Sequence, residues 1–240
     1  MVRQVLDRLS TMMVPGVTTR ELDAEAIRLT HEMGGKCLFK GVPGRAGAGP
    51  FPGAICSSFN EQVVHGIPSE RAIRDGDILS VDFGVRLGEW CGDAASTFVI
   101  GQVPPRVMQL VEVTRQCLDL AIRLCRPGER WSNIARQMQQ YVEREGFSVV
   151  REFVGHGIGR EMHEDPKVPN FVSRELLERD IVLKEGLVLA IEPMVNMGSP
   201  GVAYARDGWT VVTRDGMPSA HWEQTVAITA QGADVLTDGR

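Results

Sequence analysis

The residues with the clearest chemical potential are two aspartates in a β-like stretch, Asp82 and Asp93. Apolar and β-branched residues fill 78–101, and Leu87-Gly88 near the middle predicts a hairpin turn. With that pair as the loop, Asp82 lies directly opposite Asp93, on the same face and with Cβ atoms about 5 Å apart. Two like charges there destabilise the sheet, and a divalent cation bridging hard carboxylate oxygens would relieve the repulsion. A different register, with both acids as solvated turn residues, stays open at this point.

Three histidines also stand in segments that could do chemistry. His156 lies inside Gly155–Gly159, where glycines allow close backbone approach and leave the imidazole uncrowded. His65 precedes a Gly-Ile-Pro sequence, and His163 follows Met162. By themselves, such residues are also typical of ordinary surface or core positions. Of the two remaining histidines, His31 is predicted to be an exposed helical residue and His221 a neighbour of the site.

Two glutamates adjoin strongly apolar runs in the last third of the chain. Glu192 follows Leu187–Ile191, and Glu223 precedes Val226–Ile228. A carboxylate in such a strand is costly to bury unless it is paired or coordinated. Taken in isolation, either residue could equally be an ordinary glutamate at the end of a strand, with its side chain in solvent.

As a set, these acids and one histidine form an oxygen-rich group of candidate metal ligands: Asp82, Asp93, His156, Glu192 and Glu223. A closed structural zinc site favours cysteine and histidine, so this set has too many acids for one. It suits two adjacent metal ions bridged by carboxylates, which activate a shared water and polarise a scissile carbonyl. The other histidines would then be proton and hydrogen-bond partners that face the substrate.

The composition narrows the class of protein. The chain has 240 residues, 43% of them hydrophobic, which is enough to bury a sizeable core. The net charge is −5 and no basic stripe is present, so a nucleic acid is not expected as a direct partner. Five irregularly spaced cysteines without a Cys-x-x-Cys pair predict reduced thiols. No signal peptide and no apolar run of about 18 residues is recognisable, so a cytoplasmic location is expected and membrane association is not.

The elements that must position these residues follow the order helices, strands, helices, strands. Thr18–Glu21 has the form of a capping box and predicts a helix that ends at about Met33. The Gly- and Pro-rich stretch Gly41–Gly53 predicts a mobile surface loop. The later elements are predicted as helices over 104–124 and 132–145 and strands over 148–153, 187–196, 209–213 and 223–229. This order predicts an α+β fold, with helices covering one face of a mostly antiparallel sheet, in a single domain over residues 1–240.

The ordered motifs resemble those of the methionine aminopeptidases over nearly the whole chain. The matching segments are Ser58–Glu61, His65–Pro68, Asp75–Asp77 with Asp82 and Asp93, Gly155–Gly159 with His163, Ile191–Met194 and Glu223–Thr225. The resemblance implies the pita-bread (creatinase/aminopeptidase) fold, in which two halves related by a pseudo-two-fold axis enclose the metal ions. It also implies a hydrolase that removes the initiator methionine from nascent proteins when the next residue is small.

The same resemblance implies a role for each metal ligand. Asp93 and Glu223 would bridge two divalent ions drawn from Co²⁺, Fe²⁺, Mn²⁺ or Zn²⁺. Asp82 would complete one ion, and His156 with Glu192 the other. Glu192 would also be the general base for the water between the metals.

It further implies how the substrate is held. His163 would bind the carbonyl or amide of the substrate, and His65 would contact the amide of the following residue. The residues implied for the methionine pocket are Phe51, Cys56, Met162 and Trp209. The implied partner is the N-terminus of a peptide or nascent chain, which is the substrate. The resemblance also implies a monomer that contacts the ribosome at most transiently.

The interval between His163 and Glu192 is too short for the long helical insertion of the eukaryotic-type class, so the chain resembles the bacterial-type class. It departs from the family at Met162, where an aromatic residue is common, and at the long Gly41–Gly53 loop. Two other interpretations stay open. A related peptidase that cuts beside proline would share the five ligands, and a non-catalytic binding protein of this fold would be expected to have lost some of them.

Overall fold

The computed structural model describes residues 1–45 and 47–238. Ala46, in the predicted loop, and residues 239–240, at the end of the predicted domain, lie outside the described residues. The helices are α1 (Val2–Ser10), α2 (Thr19–Glu32), α3 (Pro105–Leu124), α4 (Trp131–Arg144) and α5 (Arg174–Glu178). The strands are β1 (Lys36–Cys37), β2 (Cys56–Phe59), β3 (Gln62–Val64), β4 (Ile78–Leu87), β5 (Trp90–Val99), β6 (Ser148–Val149), β7 (Gly155–Gly157), β8 (Glu164–Val168), β9 (Val188–Ile191), β10 (Met194–Asn196), β11 (Val202–Tyr204), β12 (Val211–Thr213), β13 (Ser219–His221), β14 (Gln224–Thr229) and β15 (Gly232–Val235).

Helix α2 begins where its capping box predicts. The Thr18 hydroxyl accepts a hydrogen bond from the Glu21 N–H at 3.2 Å, and the Glu21 carboxylate accepts one from the Thr18 N–H at 2.7 Å. This reciprocal pair satisfies two N–H groups that the first turn would otherwise leave unpaired. The helices predicted over 104–124 and 132–145 are confirmed as α3 and α4.

The hairpin of β4 and β5 is confirmed, but its turn is not the predicted one. Leu87 pairs with Trp90, so the two loop residues are Gly88 and Glu89. Gly88 has φ +59°, a left-handed conformation that glycine adopts freely and that a leucine would adopt only with strain. The turn therefore begins one residue later than the Leu87-Gly88 pair predicted.

This turn changes the register of the two aspartates. The prediction that they lie directly opposite each other is wrong, because Asp82 pairs with Ala95 and Asp93 pairs with Gly84. The side-chain period of a strand is two residues, so Asp82 and Asp93 still share a face and are diagonal neighbours. Like-charge repulsion between them is therefore retained in the observed register.

The predicted strand over 187–196 is two strands, β9 and β10, separated by Glu192 and Pro193. Proline lacks the N–H that a central strand must donate, so the chain leaves the sheet there. Strand β9 pairs with β7 and β14, whereas β10 pairs with β6 and β13. Glu192 consequently stands at the point where the chain passes from one sheet to another. Two other predicted strands are shorter than expected and are reduced to β6 and β12.

All strand pairs among the described residues are antiparallel, as predicted. In the first half, β4 pairs with β5 along one edge and with β1 and β2 along the other. In the second half, the sheet order is β15-β14-β9-β7-β8. A bridge between Ala95 and Glu223 joins the two sheets. No helix in the part of the chain that the structure describes is long and apolar enough to cross a membrane.

The two halves repeat one local pattern. Thr18, just before α2, bridges Ala72, and Arg130, just before α4, bridges Val182. The chain then passes through a left-handed glycine shortly before the central strand of each half, at Gly76 and Gly186. This repetition is the structural basis of the pseudo-two-fold relation between the halves.

Each half covers one face of its sheet with helices. Val81 and Phe83 of β4 pack with Leu22 of α2 in one buried core. Leu189 of β9 packs with Trp131 of α4 in the other. Because successive side chains of a strand point to opposite faces, the residue between Val81 and Phe83 faces away from the helices. The helix-free faces are therefore the ones that can carry a site.

Candidate metal centre

A cavity between the two halves collects every residue that the sequence predicted for the site. Its predicted lining residues are Phe51, Cys56, His65, Asp82, Asp93, His156, Met162, His163, Glu192, Trp209 and Glu223. Phe39 and Val42 also line it and were not predicted. The cavity therefore joins an acidic floor to an apolar wall, with histidines between them.

Asp82 and Asp93 form the part of the floor that comes from the first half. Asp93 is 2% exposed, and its backbone N–H and carbonyl both bond to the Thr225 hydroxyl, at 3.0 and 2.8 Å. Burial and the adjacent Asp93 charge hold the pKa of Asp82 well above its usual range. Burial raises the pKa of Asp93 to about 7. The pair thus lies in an environment where two bare negative charges are strongly disfavoured.

Glu192 and Glu223 form the part of the floor that comes from the second half. Counted from the first residue of β9 and of β4, Glu192 occupies the position equivalent to Asp82. Glu223 is 2% exposed and sits on the bridge to Ala95, so its carboxylate lies at the junction of the two sheets. Burial and the Asp93 charge raise the pKa of both glutamates well above the usual range.

His156 is held as a neutral metal ligand would be. Its Nδ1 lies 2.8 Å from the Gly157 carbonyl, which can only accept, so Nδ1 carries the proton. Its Nε2 is then unprotonated and has a lone pair available for a metal ion; it lies 3.7 Å from Oε1 of Glu192. Burial lowers the pKa of His156 to about 4, which keeps the ring neutral near pH 7.

The glycines around His156 are required by packing. A Cβ at Gly155 would lie 2.4 Å from the Ala190 carbonyl oxygen, and one at Gly157 would lie 2.3 Å from the Asp165 carbonyl oxygen. Any larger residue would push β7 away from its neighbours. The glycine frame therefore brings His156 into the sheet, close to the acids.

The floor has the properties of a divalent metal site. One ligand atom each of Asp93, His156 and Glu223 lies within 4.8 Å of the others. Among the described residues, Oδ1 of Asp82, Oδ1 of Asp93 and Oε1 of Glu223 are buried without a hydrogen-bond partner. The described lining contains four carboxylates and no arginine or lysine. Because buried charges need a compensating partner, this donor set fits hard divalent cations bound by oxygen and one imidazole nitrogen.

His65 and His163 stand above the floor. His65 has φ +59°, an uncommon conformation for a residue other than glycine and one that clusters at functional sites. Burial lowers its pKa to about 4. The ring of His163 lies edge-on to the ring of His156 with centroids 4.4 Å apart, and partial desolvation lowers the pKa of His163. Both imidazoles are therefore neutral near pH 7 and able to donate or accept a hydrogen bond.

The apolar wall combines the ends of the Gly41–Gly53 loop with two distant segments. Phe51 is 3% exposed and lies edge-on to Trp209 at 5.1 Å, and the Trp209 indole N–H donates to the Gly49 carbonyl at 2.9 Å. Gly41 and Val42 each share a backbone hydrogen bond with Phe51. The segment predicted as a surface loop thus returns into the cavity at Phe51, the loop residue that the resemblance implied for the pocket.

Cys56 and Met162 complete this wall. Cys56 pairs with Asp82 across β2 and β4, and burial raises the pKa of its thiol well above the usual range. The thiol is therefore neutral and acts as a small apolar surface. Met162 is partly buried against the same cluster.

The sequence predicted His221 only as a neighbour of the site, and the structure places it against the floor. It is 2% exposed, and its Nε2 lies 3.8 Å from Oε2 of Glu192. A signal was available, because residues two apart in an extended chain share a face and His221 lies two positions before Glu223. Phe39 carried no such signal, since its contact with the cavity depends on the pairing of β1 with β4.

Comparison with known proteins agrees with this geometry. The profile of metallopeptidase family M24 matches residues 1–230. Methionine aminopeptidase 1 of Bacillus subtilis is 47% identical over 231 residues, covering 96% of this chain and 90% of that protein. The crystal structure of a methionine aminopeptidase from Thermotoga maritima superposes with a TM-score of 0.92 at 41% identity, covering 98% of this chain and 92% of the other. A Xaa-Pro dipeptidase from Bacillus anthracis has a TM-score of 0.74 at 18% identity and is covered over only 58% of its length, so that likeness concerns the fold alone.

Proposed function

The chain belongs to metallopeptidase family M24 and has its pita-bread fold, and we propose that the cavity between its two halves is the catalytic centre. The chain is a metal-dependent aminopeptidase that removes N-terminal methionine, the activity for which its relatives are named. The observation that carries the assignment of the site is the buried acidic floor beside an apolar pocket. Because the floor draws residues from both halves, the chain acts as one catalytic domain.

Two divalent ions would be held by the five floor residues: Asp82, Asp93, His156, Glu192 and Glu223. Glu223 bridges Ala95 and the Asp93 backbone bonds to Thr225, so both residues lie where the two sheets meet, and their carboxylates would be the ones shared between the ions. Asp82 would serve one ion, and His156 with Glu192 would serve the other. When bound, such a pair of ions polarises a scissile carbonyl and makes a shared water nucleophilic. Co²⁺, Fe²⁺, Mn²⁺ and Zn²⁺ all suit this mixed set of donors, so availability decides among them.

The chain's own residues would move the protons. Glu192 lines the cavity among the other acids, and with the metal ions bound its carboxylate would take the proton of the attacking water and return it to the leaving amine. His163, above His156, donates to the carbonyl or amide of the scissile bond. His65, fixed by its left-handed backbone, contacts the amide of the following residue.

The apolar wall would select the first side chain. Phe51, Cys56, Met162 and Trp209 enclose a surface that suits an unbranched thioether, and sulfur makes favourable contacts with aromatic ring edges. The second residue would lie beside His65, whose ring is edge-on to Trp209 with centroids 6.4 Å apart, and we expect it to be small. The natural substrate would be the N-terminus of a nascent chain in the cytoplasm. The enzyme would act as a monomer in transient contact with the ribosome.

A panel of peptides tests this function. Purified protein with Mn²⁺, Fe²⁺ or Co²⁺ is expected to release methionine from Met-Ala-Ser and Met-Gly-Ser, and to leave Met-Leu-Ser and Ala-Pro-Ser intact. The matched control is Asp93→Asn, which keeps the shape of the side chain and loses the bridging charge. Cleavage of Ala-Pro-Ser alone would assign the chain to proline-specific peptidases. Absence of any cleavage, with folded and metal-loaded protein, would indicate a binding protein.

A further inference from the structure

His221 is held rigidly behind the acidic floor. It is the last residue of β13 and is 2% exposed. Its backbone N–H donates to the Thr97 hydroxyl at 3.0 Å, and its carbonyl accepts a hydrogen bond from the same hydroxyl at 2.8 Å. Because the Thr97 hydroxyl holds both the N–H and the carbonyl of the residue, the direction of the His221 Cα–Cβ bond is set by the sheet.

The imidazole points at one atom of the floor. Among the described residues, Nε2 of His221 is buried without a hydrogen-bond partner, and it lies 3.8 Å from Oε2 of Glu192. The other oxygen, Oε1, lies 3.7 Å from Nε2 of His156. The carboxylate of Glu192 therefore lies between two imidazoles, one on each oxygen.

We propose that His221 is a positioning residue, whose Nε2–H holds Oε2 of Glu192 so that Oε1 stays turned towards His156 and the metal site. The proposal rests on the proposed function, in which Glu192 is both a metal ligand and the proton acceptor. His221 does not line the cavity, so it acts through Glu192 and does not touch the substrate.

Glu192 needs such a partner for a geometric reason. The terminal torsion of a glutamate is broad, so the backbone does not decide how its two oxygens are oriented. A carboxylate that both binds a metal ion and accepts a proton can do so only if each of its two oxygens keeps a fixed orientation. The separation of 3.8 Å is beyond a direct hydrogen bond, and a small rotation of the carboxylate would bring Oε2 within reach of Nε2.

Substitutions of His221 separate hydrogen bonding from packing. His221→Gln keeps an N–H donor of similar reach, whereas His221→Leu keeps a similar volume and has no donor. His31→Leu, on the exposed face of α2, is the matched control for loss of a histidine. Each variant is titrated with Mn²⁺ by calorimetry, melted without metal, and assayed on Met-Ala-Ser.

We expect His221→Leu to weaken Mn²⁺ binding or lower kcat by about 10- to 100-fold, the usual effect of removing the partner of a metal ligand. KM should change little, and His221→Gln should stay within about 3-fold of the native protein in both quantities. Native behaviour of His221→Leu would overturn the proposal. Equal losses in the folded Gln and Leu variants would also overturn it, because packing alone would then explain the effect.

Two further outcomes keep the test decisive. If His221→Leu does not fold, His221→Asn replaces it, because its amide is shorter and should lose the contact that His221→Gln keeps. Equal behaviour of the Asn and Gln variants would then contradict the proposal. Failure of native, Mn²⁺-loaded protein to cleave Met-Ala-Ser would contradict the proposed function instead, and the Mn²⁺ titrations would still report on the role of His221.

Discussion

Gly84 lies directly opposite Asp93 in the hairpin, and a Cβ at Gly84 would lie 3.3 Å from Oδ1 of Asp93. The same Cβ would lie 2.7 Å from the ring of Phe39, closer than real Cβ contacts allow. A glycine in a central strand is usually a weakness, because it has no side chain to pack. Because Gly84 has no side chain, there is room beside it for the Asp93 carboxylate and for the Phe39 ring.

Gly84→Ala should therefore damage the site although the change is small. We expect a destabilisation of about 1–3 kcal/mol from overpacking and weaker Mn²⁺ binding. Gly92→Ala is the matched control on the same hairpin, because its Cβ would meet only Val2 at an ordinary 3.4 Å. Thermal melting and calorimetric titration with Mn²⁺ measure both effects. Equal behaviour of the two variants would contradict the importance of the space at Gly84.

Glu192→Gln should abolish turnover while the fold stays intact. The amide keeps the shape of the carboxylate but cannot accept the proton of the attacking water. Steady-state kinetics with Met-Ala-Ser, together with a melting curve, test this prediction. A near-native kcat would show that another group is the base.

His163→Ala should lower kcat by roughly 100-fold or more, because the imidazole would stabilise charge that develops during the reaction. The variant should melt like the native protein, since His163 lies on the exposed rim of the cavity. An effect confined to KM would indicate that His163 binds the substrate without stabilising the transition state.

The stability of the metal-free protein should fall as the pH rises from 6.5 to 8. Burial raises the pKa of Asp93 from 3.8 to about 7 in the folded chain, so the folded state keeps a proton that the unfolded state has lost. That contribution is complete below about pH 4 and is lost as the pH rises through about 7. His156, with its pKa lowered to about 4, opposes this trend only below about pH 6.5.

Melting curves at several pH values, with and without Mn²⁺, measure this dependence. Mn²⁺ should raise the melting temperature more at pH 8 than at pH 6.5, because protons compete with the metal for the same oxygens. Asp93→Asn should show a flatter dependence, since the titrating group is gone. A metal-free stability that rises with pH in this window would refute the electrostatic account of the floor.

Trp209→Phe should loosen the pocket without stopping the chemistry. It removes the hydrogen bond to the Gly49 carbonyl and keeps an aromatic ring against Phe51. We expect KM for Met-Ala-Ser to rise roughly 2- to 10-fold, the value of one neutral hydrogen bond, with kcat largely retained. Trp90→Phe, at an exposed tryptophan outside the cavity, is the control. A large fall in kcat would place Trp209 in the catalytic step.

The sequence by itself determined the kinds of atoms in the site and most of the elements that carry them. Carboxylates beside apolar runs and a histidine among glycines are local signals, because burying such groups is costly without a partner. The capping box of Thr18 and Glu21 was equally local, and it fixed the start of α2 within a single turn of chain.

Only the tertiary structure decided how those atoms meet. The pairing of Asp82 with Ala95 depended on which residue the turn left in a left-handed conformation, and one residue of error changed the partner of every side chain. His221 reached Glu192, and Phe51 reached Trp209, through contacts between segments far apart in the chain. Such contacts follow from the pairing of sheets and the packing of two halves, which short-range patterns of residues do not specify.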